Sequence, residues 1–225
     1  MSSYIFRQSC RAMSDFRIPQ ILKFLNLVQE AFGCRTLYDS RCQPVDMTES
    51  GLRSIIEKRV DKIFPSIGAN EDFFTISPKK RDKNTVRIEI HTGTHREEKF
   101  IDAYDISMDD KSKVPALSFF IKSIPIFRPF EAFVAEGENE KRFDTFNRLQ
   151  VVGFSQPTII RGFHYLDRDM AESIGGIEYC LKAPAWRVEK FVDGVLIQLV
   201  PDLFDSDNAE HVDIQKRVMA YFNMP

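Results

Sequence analysis

The chain has 225 residues, of which 43% are hydrophobic and 28% are charged, and its formal net charge is −2. This length suits one large domain or two small ones, and the composition is that of a globular protein rather than a disordered one. The basic excess of a nucleic-acid-binding protein is absent, so we expect no nucleic-acid partner.

The cysteines and the apolar segments bear on cellular location. The four cysteines form no Cys-x-x-Cys pair, which favours reduced thiols in a reducing compartment. No run of about 18 apolar residues is present, and the first residues lack the apolar segment of a secretory signal. The sequence therefore predicts a cytoplasmic protein with no membrane partner.

The first half of the chain is predicted to form two amphipathic helices and then an antiparallel meander. Apolar residues at helical spacing predict helices from Ile18 to Phe32 and from Glu49 to Phe64. The pattern then alternates between apolar and polar residues, as in half-buried strands. The strands predicted on this basis are Phe73–Ile76, Val86–Ile90 and Phe100–Met108.

A short helix is predicted from Ala116 to Ile124. Pro125 and Pro129 are expected to break the chain after it. A strand then begins near Phe130, and the polar stretch Glu136–Arg142 is interpreted as a loop.

The C-terminal third is predicted to be rich in strands. They cover Thr158–Tyr165, Ile177–Leu181 and Arg187–Val192. Asp193-Gly194 is a hairpin turn by its composition, and the returning strand follows it. Asp207 or Asn208 is expected to cap a last helix.

These elements predict an α+β fold, with an antiparallel or mixed β-sheet, or two small sheets, flanked by helices. We expect a single domain over residues 1–225, with 1–125 and 150–225 as the alternative division into two sub-lobes.

An acidic stretch lies between Asp193 and Asp213, and no Lys or Arg interrupts it. It is either a solvated loop that leads into the acidic first turn of a helix, or a surface that faces a basic partner. Trp186, the only tryptophan, is either a core residue or an interface anchor.

The polar clusters favour structural roles over chemistry. His91 and His95 are four residues apart, but Gly93 between them opposes the helix that a zinc pair needs. The segment 205–210 has oxygen ligands at alternate positions, but it lacks the glycine and the closing glutamate of a calcium loop. Cys180 lies in an apolar run with no basic neighbour, which favours inert burial. We therefore expect no metal, no cofactor and no enzyme activity.

Three segments near the C-terminus carry a resemblance to a known family. They are Gly162-Phe163-His164-Tyr165-Leu166, then Asp193-Gly194-Val195-Leu196-Ile197-Gln198-Leu199, then Phe204-Asp205-Ser206-Asp207-Asn208-Ala209-Glu210-His211-Val212. In this order they resemble the immunity protein 52 family of bacterial polymorphic toxin systems. Phe127-Arg128-Pro129 before a strand is compatible with the same family.

The resemblance implies an immunity protein that binds and neutralises a cognate toxin. Such toxins are often delivered by a type VI secretion system (T6SS), and the toxin domain is often a restriction-endonuclease-like nuclease. The residues expected to bind this partner are Trp186, Asp202, Asp205, Asp207 and Glu210. Two alternatives stay open: an enzyme of unrecognised class with a site near His164 and His211, and a general protein-binding adaptor.

Overall fold

The computed structural model describes residues 3–11, 17–39, 41–60, 71–78, 86–93, 101–108, 117–142 and 155–224. The chain forms two compact units. The C-terminal unit combines Met1–Gln8 with Pro129–Pro225, and the N-terminal unit is Ser9–Arg128. Strand β1 (Tyr4–Arg11) begins in the first of these units and ends in the second.

The N-terminal unit contains three helices and four further strands in its described part. The helices are α1 (Ile18–Ala31), α2 (Glu49–Val60) and α3 (Leu117–Phe127). The strands are β2 (Tyr38–Asp39), β3 (Glu71–Ser77), β4 (Val86–Gly93) and β5 (Ile101–Met108), paired antiparallel in this order. The two amphipathic helices and the meander are thereby confirmed, while the predicted end of the second helix at Phe64 lies outside the described residues.

Pro125 does not break the chain as expected, because α3 continues through it to Phe127. The amide of Arg128 still donates to the carbonyl of Ile124 at 2.9 Å. The ring of Phe127 stacks on Tyr104 with 3.8 Å between ring centroids, and it lies edge-on to Phe24 at 5.2 Å. This aromatic packing offsets the helical hydrogen bond that a proline cannot make.

The C-terminal unit contains the strands β6 (Glu131–Glu136), β7 (Phe163–Leu166), β8 (Arg187–Phe191) and β9 (Gly194–Gln198). They pair antiparallel in the order β6-β7-β9-β8. Its helices are α4 (Gly137–Arg142), α5 (Arg168–Glu172), α6 (Ile177–Cys180) and α7 (Ala209–Tyr221). The α+β class with antiparallel strands and flanking helices is confirmed.

Three predictions in this unit are wrong. The strand predicted over Thr158–Tyr165 forms only from Phe163 onward, because residues 158–162 precede β7 outside any strand. Ile177–Cys180 is a helix and not a strand, since Tyr179 stacks on Tyr221 of α7 with 4.5 Å between ring centroids. Gly137–Arg142 is a helix and not a loop, and its acidic first turn suits the positive end of the helix dipole.

The predicted hairpin exists, but its turn lies one residue earlier than expected. The loop residues are Val192 and Asp193, because Phe191 pairs with Gly194. Val192 takes a φ of 53°, in the left-handed region that β-branched residues avoid. The hydroxyl of Tyr165 donates to Asp193 Oδ1 at 2.7 Å, which fixes the tip of the loop to β7.

None of the described helices is both long enough and apolar enough to cross a membrane.

Candidate functional site

The residues 202–213, which we call the acidic segment, join β9 to α7 and enter its first turns. Five acids lie in it. Asp202, Asp207, Glu210 and Asp213 are exposed, and Asp205 is half-buried. Asp205 Oδ1 accepts the amide hydrogen of Asp207 at 3.0 Å, and Asn208 Oδ1 accepts that of Glu210 at 3.0 Å. Asn208 is therefore the helix cap, one of the two residues predicted for that role.

The acidic segment is fixed to the unit beneath it. Phe204 is buried, and its carbonyl accepts a hydrogen bond from the Tyr4 hydroxyl at 3.2 Å. The amide of Ser206 donates to the buried Glu136 carboxylate at 2.7 Å. The amide of Asp205 donates to His211 Nδ1 at 3.1 Å. The segment therefore presents its exposed carboxylates from a defined backbone.

Trp186 is exposed by 54%, so its interpretation as a core residue is wrong. It immediately precedes β8, and its amide donates to the carbonyl of Leu199 at 3.2 Å. Leu199 comes three residues before Asp202. Trp186 thus has the accessibility that an interface anchor needs.

A depression of about 570 Å³ lies on the outer face of α7. It is shallow and open to solvent, and it is lined by Glu210, Asp213, Ile214, Lys216 and Arg217. All of these residues belong to one helix, so the depression does not enclose a small ligand.

A buried ion cluster contains His164, one of the two histidines of the enzyme alternative. The sequence analysis did not predict this cluster, because its members are far apart along the chain. Arg161 Nε and Nη2 donate to the two oxygens of Glu140 at 2.8 and 3.1 Å, and Nη1 donates to Glu131 at 3.1 Å. The guanidinium also lies 3.6 Å from the ring centroid of Phe133. Planar guanidinium suits both the paired carboxylate contact and the stacking.

His164 completes the ion cluster. Its Nδ1 accepts the Arg161 amide hydrogen at 3.3 Å, so the ring proton lies on Nε2, which donates to Glu131 at 2.9 Å. The side chain has no exposed surface. Both ring nitrogens are therefore engaged and shielded from solvent, and His211 Nδ1 is engaged as well. These contacts give the enzyme alternative no support.

The surroundings displace the pKa values of the cluster. Burial lowers the pKa of His164 below its usual 6.5, although the neighbouring Glu131 opposes this. Burial raises the pKa of Glu131, but the hydrogen bond from His164 and the charge of Arg161 outweigh it and leave the pKa lowered. The cluster therefore holds a neutral imidazole beside an ionised carboxylate.

We expect acid to destabilise the fold through His164. Its folded pKa lies below the unfolded value of 6.5, so the unfolded chain takes up a proton first as the pH falls. The free energy of unfolding then decreases by up to about 1.4 kcal/mol per pH unit. Glu131 adds its own loss only below its usual 4.5, so between these two values His164 is the member of the cluster that titrates. Urea titrations of the wild type and a control variant over this range measure its contribution.

The control variant is His164→Gln, whose amide still donates to Glu131 but does not titrate. Its unfolding free energy should fall less steeply with decreasing pH than that of the wild type. Equal slopes in the two proteins would contradict the assignment.

The two buried thiols are shielded and have raised pKa values. Cys180 is buried in α6, and burial raises its pKa to about 11. Burial also raises the pKa of Cys10 to about 12. Across the described ranges, no group of His, Cys, Asp and Glu side chains is arranged to hold a metal ion. The side chains of His91 and His95 lie outside the described residues.

Comparison with known proteins finds similarity in fold. The chain is similar to the solved structure of the Pseudomonas aeruginosa T6SS protein PA0821, with a TM-score of 0.57 and 12% sequence identity. The match covers 97% of this chain and 73% of that one. No protein-family model and no curated protein matches the sequence. At this identity, the likeness establishes a shared fold.

Proposed function

We propose that this protein is an immunity protein that binds and neutralises a toxin effector of a T6SS in the cytoplasm. Two findings support the proposal from different directions. The segments between Gly162 and Val212 resemble the immunity protein 52 family, and the fold is similar to that of a T6SS protein.

The observation that carries the proposal is the acidic segment. Its exposed carboxylates stand on a backbone held by Tyr4, Glu136 and His211. A surface that is already ordered loses little conformational entropy on binding, so more of the contact energy appears as affinity. Trp186 supplies an exposed aromatic side chain of the kind that anchors protein interfaces.

A nuclease is the toxin class that this surface suits best. The substrate groove of a nuclease is basic because it binds phosphates. Carboxylates can occupy that groove in place of phosphates and exclude the substrate, and they also attract the toxin from a distance. A stable complex would bury roughly 1,600 Å² in total, which is more than the acidic segment alone provides. Asp202, Asp205, Asp207, Glu210 and Trp186 are the proposed contacts.

Charge reversal tests the surface. In a variant with Asp202→Lys and Asp207→Lys, we expect the association rate with the toxin encoded beside this protein to fall by about tenfold or more at low ionic strength. The difference should shrink as salt is added, because screening removes long-range attraction. Surface plasmon resonance over a salt series measures both effects. Asp205 is left intact because it bonds the backbone of Asp207.

A matched control carries the same change of charge elsewhere. Glu30 and Glu172 are exposed acids outside the acidic segment, and the double change to lysine at these positions should leave association nearly unaltered. If both double variants behave alike, the acidic segment is not the contact surface. Co-expression with the toxin tests the function itself: an immunity protein rescues growth, whereas a general adaptor does not.

A further inference from the structure

Strand β8 forms an edge of the sheet in the C-terminal unit, with β9 on its inner side. Within the described residues, no strand pairs with its outer side. The large hydrophobic side chains described as exposed are Trp186 and Val192, at 54% and 43%, and they flank this strand directly. An edge strand with open backbone groups and apolar neighbours is a template for another strand.

The hairpin determines which backbone groups of β8 point outward. Phe191 and Gly194 close a two-residue loop, so they form a hydrogen-bonded pair, and bonded pairs then alternate along the ladder. Glu189 and Arg187 therefore bond to β9. Val188 and Lys190 direct their amide and carbonyl groups away from the sheet.

The side chains along this edge are complementary to themselves. Within one chain Arg187 and Glu189 form an exposed ion pair, with 2.8 Å between Arg187 Nη2 and Glu189 Oε2. When two copies of Trp186–Lys190 run antiparallel about Val188, each Arg187 also lies opposite a Glu189 of the other copy, so the two ion pairs join across the axis. Val188 then faces Val188. Each Lys190, whose ammonium pairs with Glu178 of its own chain, lies opposite a Trp186, whose amide donates to Leu199. A shift of the centre to Glu189 would place two carboxylates directly opposite each other, which is unfavourable.

We propose that β8 pairs with β8 of a second copy of this chain, with the twofold axis at Val188, and so forms a homodimer. The charges on β8 by themselves are also what a protected edge would carry. Their order is compatible with pairing, because in the register centred on Val188 each intrachain Arg187–Glu189 pair meets the opposite charges of the other copy. This is also the register in which the outward amide and carbonyl of Val188 can pair. The exposed indole beside them adds apolar area to the pairing, where a protected edge carries charge. In this dimer Trp186 is covered, so a toxin that contacts this residue binds the monomer.

The pairing is short, so the dimer should be weak and should depend on concentration. Sedimentation of the full chain from about 1 to about 300 µM should show conversion from monomer to dimer, a range that suits small interfaces. The emission of Trp186 should shift to shorter wavelength over the same range, because it is the only tryptophan and becomes buried. A monomer at every concentration would overturn the proposal and would leave the proposed toxin binding untouched.

Charge exchange tests the register. Glu189→Arg places arginine opposite arginine and should abolish the dimer. In the double variant Arg187→Glu and Glu189→Arg, the positive and negative charges have exchanged positions. Each again lies opposite its counter-charge in the other copy, so the dimer should be restored. Glu172→Arg, an equal change on an exposed acid away from β8, should leave dimerisation as it is. Circular dichroism verifies that each variant is folded.

Val188→Pro tests the backbone pairing. The Val188 amide points away from β9, so proline removes an intermolecular hydrogen bond and spares the hairpin. We expect a folded monomer. A dimer that survives both Glu189→Arg and Val188→Pro would place the interface elsewhere and overturn the proposal.

Discussion

Replacing Arg161 by methionine should cost about 3–5 kcal/mol of the free energy of unfolding, because it breaks a buried ion cluster from one side. Arg161 is only 5% exposed, and its guanidinium contacts both Glu131 and Glu140. Methionine fills a comparable volume but removes the guanidinium from which both carboxylates accept hydrogen bonds. Urea denaturation followed by circular dichroism should show a lower midpoint at an unchanged slope.

The control is Arg217→Met on the exposed surface of α7, which should change the unfolding free energy by no more than about 0.5 kcal/mol. Adding Glu131→Gln to Arg161→Met should recover part of the loss, since it removes one of the two buried negative charges that have lost the guanidinium. If Arg161→Met costs no more than the control, the cluster contributes only what a surface ion pair does.

We also expect Arg161→Met to loosen the packing at the start of the acidic segment. Gly162 follows Arg161, and a Cβ atom at Gly162 would lie 2.2 Å from Cβ of Phe204. The carbonyl of Gly162 accepts the amide hydrogen of Leu199 at 2.9 Å. The ion cluster therefore fixes the backbone against which the start of the acidic segment packs.

Replacing Gly194 by alanine should cost about 3 kcal/mol or more, because the added methyl group would overlap the neighbouring strand. A Cβ atom here would lie 1.9 Å from the carbonyl oxygen of Leu166 and 2.7 Å from Cα of Asp167. Both are backbone atoms, so neither can move aside without separating β7 from β9. Urea denaturation measures the loss.

Gly33→Ala is the matched control, because it lowers the free energy of unfolding through backbone strain and not through overlap with neighbouring atoms. Gly33 has a φ of 60°, and within the described part of the chain no heavy atom would lie within 4 Å of a Cβ atom added to it. Alanine there meets only the strain of the left-handed backbone, which amounts to about 1–2 kcal/mol. A Gly194→Ala variant as stable as Gly33→Ala would show that the strands accommodate the methyl group.

The helices and the meander of the N-terminal unit could be predicted because their signals are local. Apolar residues of α1 recur at helical spacing, and β4 alternates with period two. The cap at Asn208 and the charge of the acidic segment are also local, since they depend on a side chain and its nearest amides. The candidate contact residues could be chosen from the sequence for this reason.

Tertiary contacts decided the remainder. The short run Ile177–Cys180 is apolar enough for a strand or a helix, and stacking of Tyr179 on Tyr221 made it a helix. Gly194 suggested a turn, but its lack of a side chain serves the close approach of β7. The accessibility of Trp186 could not be read from composition, because burial depends on what the rest of the chain places over a residue.

The sequence by itself therefore determined the α+β class, most of the periodic elements and the acidic segment, since each depends on neighbours along the chain. Only the tertiary structure decided that Arg161, Glu131, Glu140 and His164 form one cluster, and that Arg187 to Lys190 form an exposed edge. Those features depend on residues far apart in sequence, which periodicity does not connect.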